Sequence, residues 1–358
     1  MPRLRPLTCL LGRPSPAFLL GGVGAMSAVY VLEDGAIVRK DGDQIVVVSA
    51  KSGPILSMPL EQVEELVILG NATLTAPLVH ELLARGIGVA YFSRSGKFLG
   101  RLFPETSKNV PLRWAQFTAA SDEGKALAIA KAIVKGKLLN QRAILQREAR
   151  EGVAGLSSAI EDLKALVRRV DRVQSLAELR GVEGAGSALY FREWPKLIRA
   201  VGFRFPGRVK RPPTDPVNAM LSFGYTLLTN VVFAACHVVG FDPYVGFLHM
   251  DRYGRPALVL DLMEELRPVL VDSLVLALIN RNMVDPEGFE SGLGGGCRMN
   301  RATLRKFLQS WEDKRRTFVR HPVFQQEVPY WRVPELQARI LARVLLGEAE
   351  EYIPFLIR

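Results

Sequence analysis

The apolar residues of this 358-residue chain change their spacing between residues 104 and 112, and this change constrains the fold more than any other feature. Before it, from residue 28 to 103, they form short runs rich in β-branched residues and broken by Asp-Gly and Gly-Asp pairs, which is typical of strands. After residue 120 they recur at every third or fourth position, which is typical of amphipathic helices. The helical spacing is clearest at Ala126, Ile129, Ala130, Ile133 and Val134. We therefore predict an α+β chain of two domains.

The first part of the chain carries the turn signals of a small β domain. Asp41-Gly42 lies between two strand-like runs, and Ser95-Gly96 lies between two others, so each pair predicts a β-hairpin. The segment APLVHELLARG predicts one helix that ends at Gly86. We predict a β-rich, sandwich-like domain over residues 26–106.

Residues 107–358 show helical spacing, and we predict a larger all-α domain there. Its segment 219–236, AMLSFGYTLLTNVVFAAC, contains eighteen residues without a charge, which is long enough to suggest a membrane span. However, five of these residues are polar, and Pro216 and Asp242 flank the segment. This composition favours a central buried helix of the all-α domain over a membrane span.

Residues 1–25 have a basic start and a short apolar stretch, as a weak signal peptide does. Pro14 and Pro16 interrupt the apolar part, and a strand pattern begins directly afterwards at Met26. We therefore predict that residues 1–25 are a disordered N-terminal extension.

Several classes of protein are disfavoured by what the sequence lacks. Cys9, Cys236 and Cys297 form no CxxC pair, which argues against a structural zinc site or a disulfide framework and favours a reducing cytoplasm. The sequence has no GxxxxGK[ST] loop, which argues against a nucleotide-driven enzyme. In HELLA, Ala84 replaces the second histidine of the HExxH zinc motif.

The net charge of +11 is concentrated in the second part of the chain. Residues 26–110 carry 8 Lys and Arg against 9 Asp and Glu, whereas residues 111–358 carry 36 against 27. Such an excess favours an anionic partner, and we expect it to bind the predicted all-α domain.

Acidic residues in apolar surroundings indicate a metal site. In DLMEEL, Asp261 precedes Glu264 by three residues and Glu265 by four, so in a helix the three carboxylates lie near one side and repel one another. A divalent cation would offset this repulsion. His249 lies twelve residues before Asp261. An ordinary solvated helix face explains the acidic group equally well.

A further acid, Glu183, is surrounded by Gly181, Gly184 and Gly186. Small neighbours allow a bulky ligand such as a DNA backbone to approach a carboxylate closely. The alternative is an acid favoured by a helix start. Composition and spacing alone do not join Glu183 to His249.

Residues 192–211 form a basic stretch that contains only one acid, Glu193. Its cations are Arg192, Lys196, Arg199, Arg204, Arg208, Lys210 and Arg211. The aromatic residues in and beside it are Tyr190, Phe191, Trp194, Phe203 and Phe205. Cations suit phosphate contacts and aromatic rings suit stacking on exposed bases, so the stretch predicts a nucleic-acid track. A solvated charged face is the ordinary alternative.

Three segments together resemble the CRISPR-associated spacer-acquisition integrases in order and spacing. They are GVEGAGSALYF, PPTDPVNAMLSFGYTLL at 212–228, and GFLHMDRYGRPALVLDLMEELRP at 246–268. The earlier segment LGNATLTAPLVHELLARGIGVAYFSRSGKFLGRL is similar to the β domain of that family. The resemblance covers nearly all of residues 26–358.

The resemblance implies an active site in which Glu183, His249 and Glu264 bind the metal, with Asp261 as an assisting acid. Whether Glu264, Glu265 or Asp261 is the third ligand stays open. Asn218 and Tyr225 match a family element with scaffold or DNA-positioning roles. The full set expected to bind DNA is Arg192, Lys196, Arg204, Arg208, Lys210, Arg211, Asn218 and Tyr225.

The resemblance also implies a reaction and its partners. The family joins short duplexes, with double-stranded or branched DNA as substrate, into a CRISPR array by attack of a 3′-hydroxyl on a repeat phosphate. Two carboxylates and an imidazole suit Mn²⁺ or Mg²⁺. The family forms a homodimer through the β domain, and two dimers flank a dimer of the small second Cas protein in a heterohexamer.

Two alternatives use the same residues differently. A general metal-dependent nuclease for branched or single-stranded DNA would cut strands without joining them. A non-catalytic DNA-binding scaffold would be insensitive to Glu183→Ala.

Overall fold

The computed structural model describes residues 17–20, 27–105, 109–209, 212–249, 253–292 and 295–357. The chain forms two compact units, Met1–Pro104 and Glu105–Arg358. A strand-rich first unit followed by a larger helical unit confirms the predicted fold class. The division lies two residues before the predicted one between residues 106 and 107.

The first unit contains two sheets. The five-stranded sheet has the order β1-β2-β6-β8-β9, and the four-stranded sheet has the order β5-β4-β3-β7. The strands are Ala17–Leu20 (β1), Ser27–Val31 (β2), Ala36–Asp41 (β3), Gln44–Ser49 (β4), Gly53–Pro59 (β5), Val63–Leu69 (β6), Ala72–Leu74 (β7), Gly88–Phe92 (β8) and Phe98–Leu102 (β9). Helix α1, Ala76–Ala84, lies between β7 and β8.

Alternating apolar residues place the core of the first unit between the two sheets. Val29 and Leu66 from the first sheet share one buried cluster with Val38 and Ile45 from the second. The hairpin predicted at Asp41-Gly42 joins β3 to β4, and Gly42 has the positive φ of +55° that its turn requires. This unit is the predicted sandwich.

Strand β1 lies within the segment predicted to be disordered, so the prediction is wrong for residues 17–20. The four residues AFLL pair antiparallel with β2 and so occupy its otherwise open edge. The remaining residues of the predicted extension, 1–16 and 21–25, lie outside the described residues.

The second unit is built from nine helices among its described residues. They are Val110–Ser121 (α2), Glu123–Arg150 (α3), Ser157–Arg172 (α4), Leu176–Leu197 (α5), Pro216–Val239 (α6), Ala257–Met263 (α7), Ser273–Asn280 (α8), Arg301–Arg316 (α9) and Val333–Leu345 (α10). Two short hairpins depart from the all-α prediction. They pair Phe289–Ser291 (β10) with Cys297–Met299 (β11), and Phe318–Arg320 (β12) with Glu327–Pro329 (β13).

Helix α6 is the apolar segment that resembled a membrane span. Asp215 caps its start by accepting from the backbone N–H of Asn218 at 2.9 Å, and Gly240 ends it with a φ of +103°. By length and composition it could cross a membrane, but 61% of its most apolar window is buried within the chain. It packs against α7 and α10 as the predicted central helix.

A π-helical segment, Arg267–Asp272, connects α7 to α8 and brings their backbone close to α6. A Cβ on Gly224 of α6 would lie 2.6 Å from a methyl carbon of Val271, so glycine is needed for this approach. Single-turn π-segments are frequent at functional sites, and this one begins two residues after Glu265.

Candidate active site

The helical unit contains a cleft of 870 Å³ between α3, α5, α6, residues 248–249 and residues 255–272. Glu183, His249 and Glu264 all line it, so the fold brings together the three residues predicted as metal ligands. Five arginines also line it: Arg180, Arg192, Arg208, Arg255 and Arg267. The cleft therefore combines an acidic centre with a cationic rim.

Glu183 reaches the cleft from the middle of α5. Ser187, one turn later, donates a hydrogen bond from its Oγ to Glu183 Oε1 at 2.9 Å. The neighbouring glycines differ in role. A Cβ on Gly184, which lines the cleft, would meet no atom within 4 Å, whereas one on Gly186 would lie 2.2 Å from Leu138 of α3. Gly184 leaves space beside the carboxylate, and Gly186 allows α5 to pack on α3.

His249 is held by Asp261, which is fully buried in α7. The Asp261 carboxylate accepts the backbone N–H groups of Phe247 at 2.6 Å, Leu248 at 3.0 Å and His249 at 3.0 Å. His249 Nδ1 lies 2.6 Å from Asp261 Oδ1. Since the carboxylate already accepts from three N–H groups, the ring fits best as the tautomer that donates from Nδ1–H. Nε2 then carries the lone pair that a metal needs.

Glu264 lies at the C-terminal end of α7, with its side chain 5% exposed. Its Oε1 lies 3.3 Å from Arg267 Nε and 3.7 Å from His249 Nε2. Burial alone would raise the pKa of this carboxyl group, but Arg267, Lys137 and His249 outweigh burial and lower the pKa to about 2. Glu264 is therefore an anion at neutral pH.

Lys137 of α3 lies between the two glutamates. Its Nζ forms an ion pair with Glu183 Oε1, and it lies 2.5 Å from Glu264 Oε2. Burial would lower the pKa of Lys137, yet Glu264 and Glu183 raise it, so the side chain is an ammonium ion. A cation thus already joins the two carboxylates.

The donor set suits a divalent cation. Two carboxylates approach one positive nitrogen, and an imidazole nitrogen lies beside one of them. In the described part of the chain, however, no three His, Cys, Asp or Glu side chains converge on one point as metal ligands do. Instead, the ammonium group of Lys137 lies between Glu183 and Glu264.

Asp261 and Glu264 of DLMEEL both lie beside the His249 ring, as predicted for acids on one side of a helix, but Glu265 does not. Asp261 accepts from the backbone of the 247–249 loop, and Glu264 lines the cleft. Glu265 is fully buried elsewhere, where Tyr352 and Gln337 donate to its Oε1 at 2.8 and 2.7 Å. Glu265 therefore lies apart from the other candidate ligands.

Tyr225 lines the wall of the cleft, and Asn218 lies behind it. Tyr225 donates from its hydroxyl to buried Asp272 at 2.5 Å, and the guanidinium groups of Arg267 and Arg208 lie 4.8 and 5.4 Å from its ring centre. Asn218 is fully buried, which fits the scaffold role. Its Oδ1 accepts from Arg208 Nη1 at 2.7 Å, which fixes that arginine at the cleft.

The basic stretch divides into cleft and surface residues. Arg192 and Arg208 line the cleft, while Lys196 and Arg204 are exposed. Lys196 forms an ion pair with Glu193 at 2.5 Å. Lys210 and Arg211 lie outside the described residues.

The prediction that the aromatic residues stack on bases is wrong for most of them. Tyr190, Trp194, Phe203 and Phe205 are buried. Tyr190, Trp194 and Phe205 pack with Phe191 in one aromatic cluster. Phe191 is only partly buried, and it lines the cleft together with Phe205. Large aromatic rings next to a helical core gain more by packing together than by remaining exposed.

Lys137 and Arg267 were not identified from the sequence, although the position of Lys137 within the apolar pattern of α3 indicates a buried polar residue. The apolar stripe of α3 continues from Ile133 and Val134 to Ile144 and Leu145, and the buried positions between them include three polar residues. These are Lys137, Asn140 and Gln141. Polar residues on the buried face of a long helix indicate partners in the interior.

The sequence matches the family described as CRISPR associated protein Cas1 over residues 29–313. It is 41% identical over 339 residues to the CRISPR-associated endonuclease Cas1 3 of Thermus thermophilus, covering 94% of this chain and 99% of that relative.

Two solved structures have a similar fold. A casposase bound to integration product superposes with a TM-score of 0.80 at 23% identity, covering 92% of this chain and 93% of that one. A chain of a Cas6-RT-Cas1–Cas2 complex superposes with a TM-score of 0.78 at 24% identity, covering 94% of this chain and 36% of that one.

Proposed function

We propose that this chain, which belongs to the Cas1 family of CRISPR-associated proteins, cuts and joins DNA strands at the cleft of its helical unit. In doing so it would insert short duplexes into a CRISPR array. The observation that carries the proposal is the approach of Glu183 and Glu264 to one cation beside His249, in a cleft rimmed by arginines. The endonuclease name of the relative and the fold shared with a casposase support the same chemistry.

Glu183, Glu264 and His249 would hold Mn²⁺ or Mg²⁺. The bound cation would stabilise negative charge on the phosphate under attack and on the departing oxygen. The imidazole favours Mn²⁺, while the carboxylates suit either cation. Asp261 retains the proton on His249 Nδ1 and fixes the ring, so that Nε2 faces Glu264.

The arginines of the rim would bind the substrate. Arg267 and Arg208 flank Tyr225, and the hydrogen bond from Tyr225 to Asp272 holds this wall in place. Guanidinium groups match phosphate oxygens in a bidentate manner, so they can orient the DNA backbone over the acidic centre. In the reaction a 3′-hydroxyl oxygen bonds to phosphorus as another 3′-oxygen leaves. One phosphodiester replaces another, so no ATP is required.

The partner proposals follow the family. A neighbour that is part of a Cas1–Cas2 complex supports a small second Cas protein as a partner. We also propose a homodimer formed through the first unit, two of which flank a dimer of that partner in the cytoplasm.

The test is a strand-transfer assay with 5′-labelled branched DNA in Mn²⁺, Mg²⁺ or EDTA. Wild type is compared with Glu183→Ala, His249→Ala and Lys135→Met, the last being a charge-loss control on an exposed face of α3. We expect metal-dependent joined products from wild type and the control, and none from the first two variants.

Other products would overturn this proposal in distinct ways. Cut strands without joined ones would indicate a general nuclease. DNA binding that is unaffected by Glu183→Ala, without any cutting or joining, would indicate a non-catalytic scaffold.

A further inference from the structure

The ammonium group of Lys137 lies between the two glutamates of the cleft and pairs with both. The side chain is 8% exposed, and it contacts Glu183 and Glu264 through a single nitrogen. Both glutamates are proposed metal ligands, so the inference that follows rests on the proposed function. It concerns what Lys137 does before and during metal binding.

A lysine can fill this position temporarily because of its shape. Its charge is compact, and its stem of four methylene groups can swing without moving the helix that carries it. Lys137 lies in the middle of the 28-residue helix α3, and residues before and after it in sequence hold the helix in place. Its neighbour Gly136 packs against Pro354, and Asn140 donates to the backbone oxygens of Glu265 and Phe355 at 2.8 Å each. The backbone is therefore fixed while the ammonium group can move within the cleft.

The ion pairs of Lys137 oppose the repulsion between the two glutamates. Without a cation between them, two carboxylates held this close would repel each other and move apart. A divalent cation at the same place would carry twice the charge, but it would first have to break both ion pairs of Lys137. Occupation of the site by Lys137 and by a metal ion is therefore mutually exclusive.

We propose that Lys137 is a tethered counter-ion, which holds Glu183 and Glu264 ready as ligands and is displaced when a divalent cation binds. It is a positioning residue in the metal-free protein and a competitor of the metal. A purely structural lysine has the opposite signature, because its removal would disorder the ligands and weaken metal binding.

The first experiment measures Mn²⁺ affinity by isothermal titration calorimetry after removal of bound metal with EDTA. Wild type is compared with Lys137→Met, which keeps a linear side chain and helix propensity but loses the charge. Lys135→Met is the matched control, because Lys135 lies on the same helix and its ammonium pairs with exposed Asp171 at 3.1 Å.

We expect Lys137→Met to bind Mn²⁺ between about tenfold and a hundredfold more tightly than wild type, since the two ion pairs of Lys137 no longer have to be broken. Lys135→Met should bind like wild type. Lys137→Arg, which keeps a charge between the glutamates, should show no gain. Equal or weaker binding by a folded Lys137→Met would overturn the proposal.

The second experiment uses wild type alone, so it does not depend on the folding of a variant. Lysine amines are acetylated for a short time in EDTA or in saturating Mn²⁺, and modification is read by peptide mass spectrometry. We expect Lys137 to be modified several-fold faster in Mn²⁺, because the displaced amine becomes accessible, while Lys135 is unchanged. Unchanged or slower modification of Lys137 would contradict displacement.

The outcomes separate this inference from the proposed function. If wild type binds Mn²⁺ and Glu183→Gln does not, but Lys137→Met shows no gain, only the role of Lys137 is overturned. If only Lys137→Met binds Mn²⁺, the inference is supported in its strongest form. If neither protein binds Mn²⁺, both the metal site and the competition for it are overturned.

Discussion

Glu264 and Glu265 are adjacent in sequence and equally hidden from solvent, yet they face two different regions of the helical unit. Glu264 lies at the cleft among Arg267, Lys137 and His249, and its pKa is lowered to about 2 against the effect of burial. Burial raises the pKa of Glu265 to about 8, because the donors that oppose it, Tyr352, Gln337 and the backbone N–H of Phe355, are all neutral. The cations of the cleft, rather than burial, decide which carboxyl group is charged.

This difference separates a site for chemistry from a site for structure. An ionised carboxylate next to an imidazole can bind a metal ion, whereas a protonated carboxyl group within hydrogen-bonding distance of a tyrosine and an amide stabilises the interior. In this molecule the interior site also fixes the chain end. The Asn140 side chain accepts from the backbone N–H of Ile357 at 3.0 Å and donates to the backbone oxygen of Phe355. It also donates to the backbone oxygen of Glu265.

The largest predicted effect distinguishes the two glutamates directly. Glu264→Gln should lower the rate of metal-dependent DNA strand transfer by at least about a hundredfold, since even groups that only orient metal ligands contribute up to that factor. Glu265→Gln should retain activity, because its amide can still bond with Tyr352 and Gln337. Initial rates on labelled branched DNA measure both.

The two variants are each other's control, because the same chemical change is made one residue apart. Loss of activity in a folded Glu265→Gln, with Glu264→Gln still active, would reverse the assignment of the third ligand.

A smaller effect is expected for Asp261→Asn, which tests whether Asp261 orients the His249 ring for metal binding. An amide oxygen can replace only part of a carboxylate that accepts three backbone N–H groups and the His249 ring. We expect Mn²⁺ affinity to fall by about tenfold to a hundredfold. Asp242→Asn, in a turn where the carboxylate accepts from Tyr244 N at 2.8 Å, is the matched control.

Calorimetric titration of Mn²⁺ into both proteins gives the result. Equal affinities for Asp261→Asn and wild type would show that the orientation of the imidazole does not matter for the metal.

The smallest predicted effect concerns stability and pH on the interior side. Because the pKa of Glu265 is raised to about 8 in the folded protein, the unfolded chain releases this proton at lower pH than the folded one does. The proton that Glu265 holds in the fold therefore contributes to the free energy of unfolding, and this contribution is complete below the unfolded pKa near 4.5. It declines with rising pH up to about 8, by at most about 1.4 kcal/mol per pH unit.

Urea unfolding in EDTA at about pH 5.5, 6.5 and 7.5, followed by circular dichroism, tests whether the free energy of unfolding declines as predicted. Wild type should lose more stability than Glu265→Gln at each step towards higher pH. Parallel pH dependence in the two proteins would show that Glu265 is ionised in the fold.

The sequence predicts the architecture well because the architecture depends on local patterns. Short runs rich in β-branched residues with Asp41-Gly42 between them yield the hairpin of β3 and β4, and the three- and four-residue spacing yields the long helix α3. The family resemblance carried by the motifs around Glu183, His249 and Glu264 identifies residues that the fold then brings to one cleft. These features require no knowledge of distant contacts.

The remaining features depend on contacts between distant parts of the chain. Spacing within DLMEEL cannot tell Glu264 from Glu265, because the partners that separate them lie 72 and 87 residues away. For the same reason Lys137 could not be assigned to glutamates 46 and 127 residues away. The aromatic residues of the basic stretch were misread because their burial against one another is tertiary.

The most direct test of the account is anomalous diffraction from crystals of the wild-type protein soaked in Mn²⁺. We predict one strong anomalous peak bounded by Glu183, Glu264 and His249 Nε2, with the Lys137 ammonium moved away from it and Glu265 still bonded to Tyr352. A cleft without a peak, in which Lys137 still joins the two glutamates at saturating Mn²⁺, would contradict the central claim that this cleft is a metal-dependent active site.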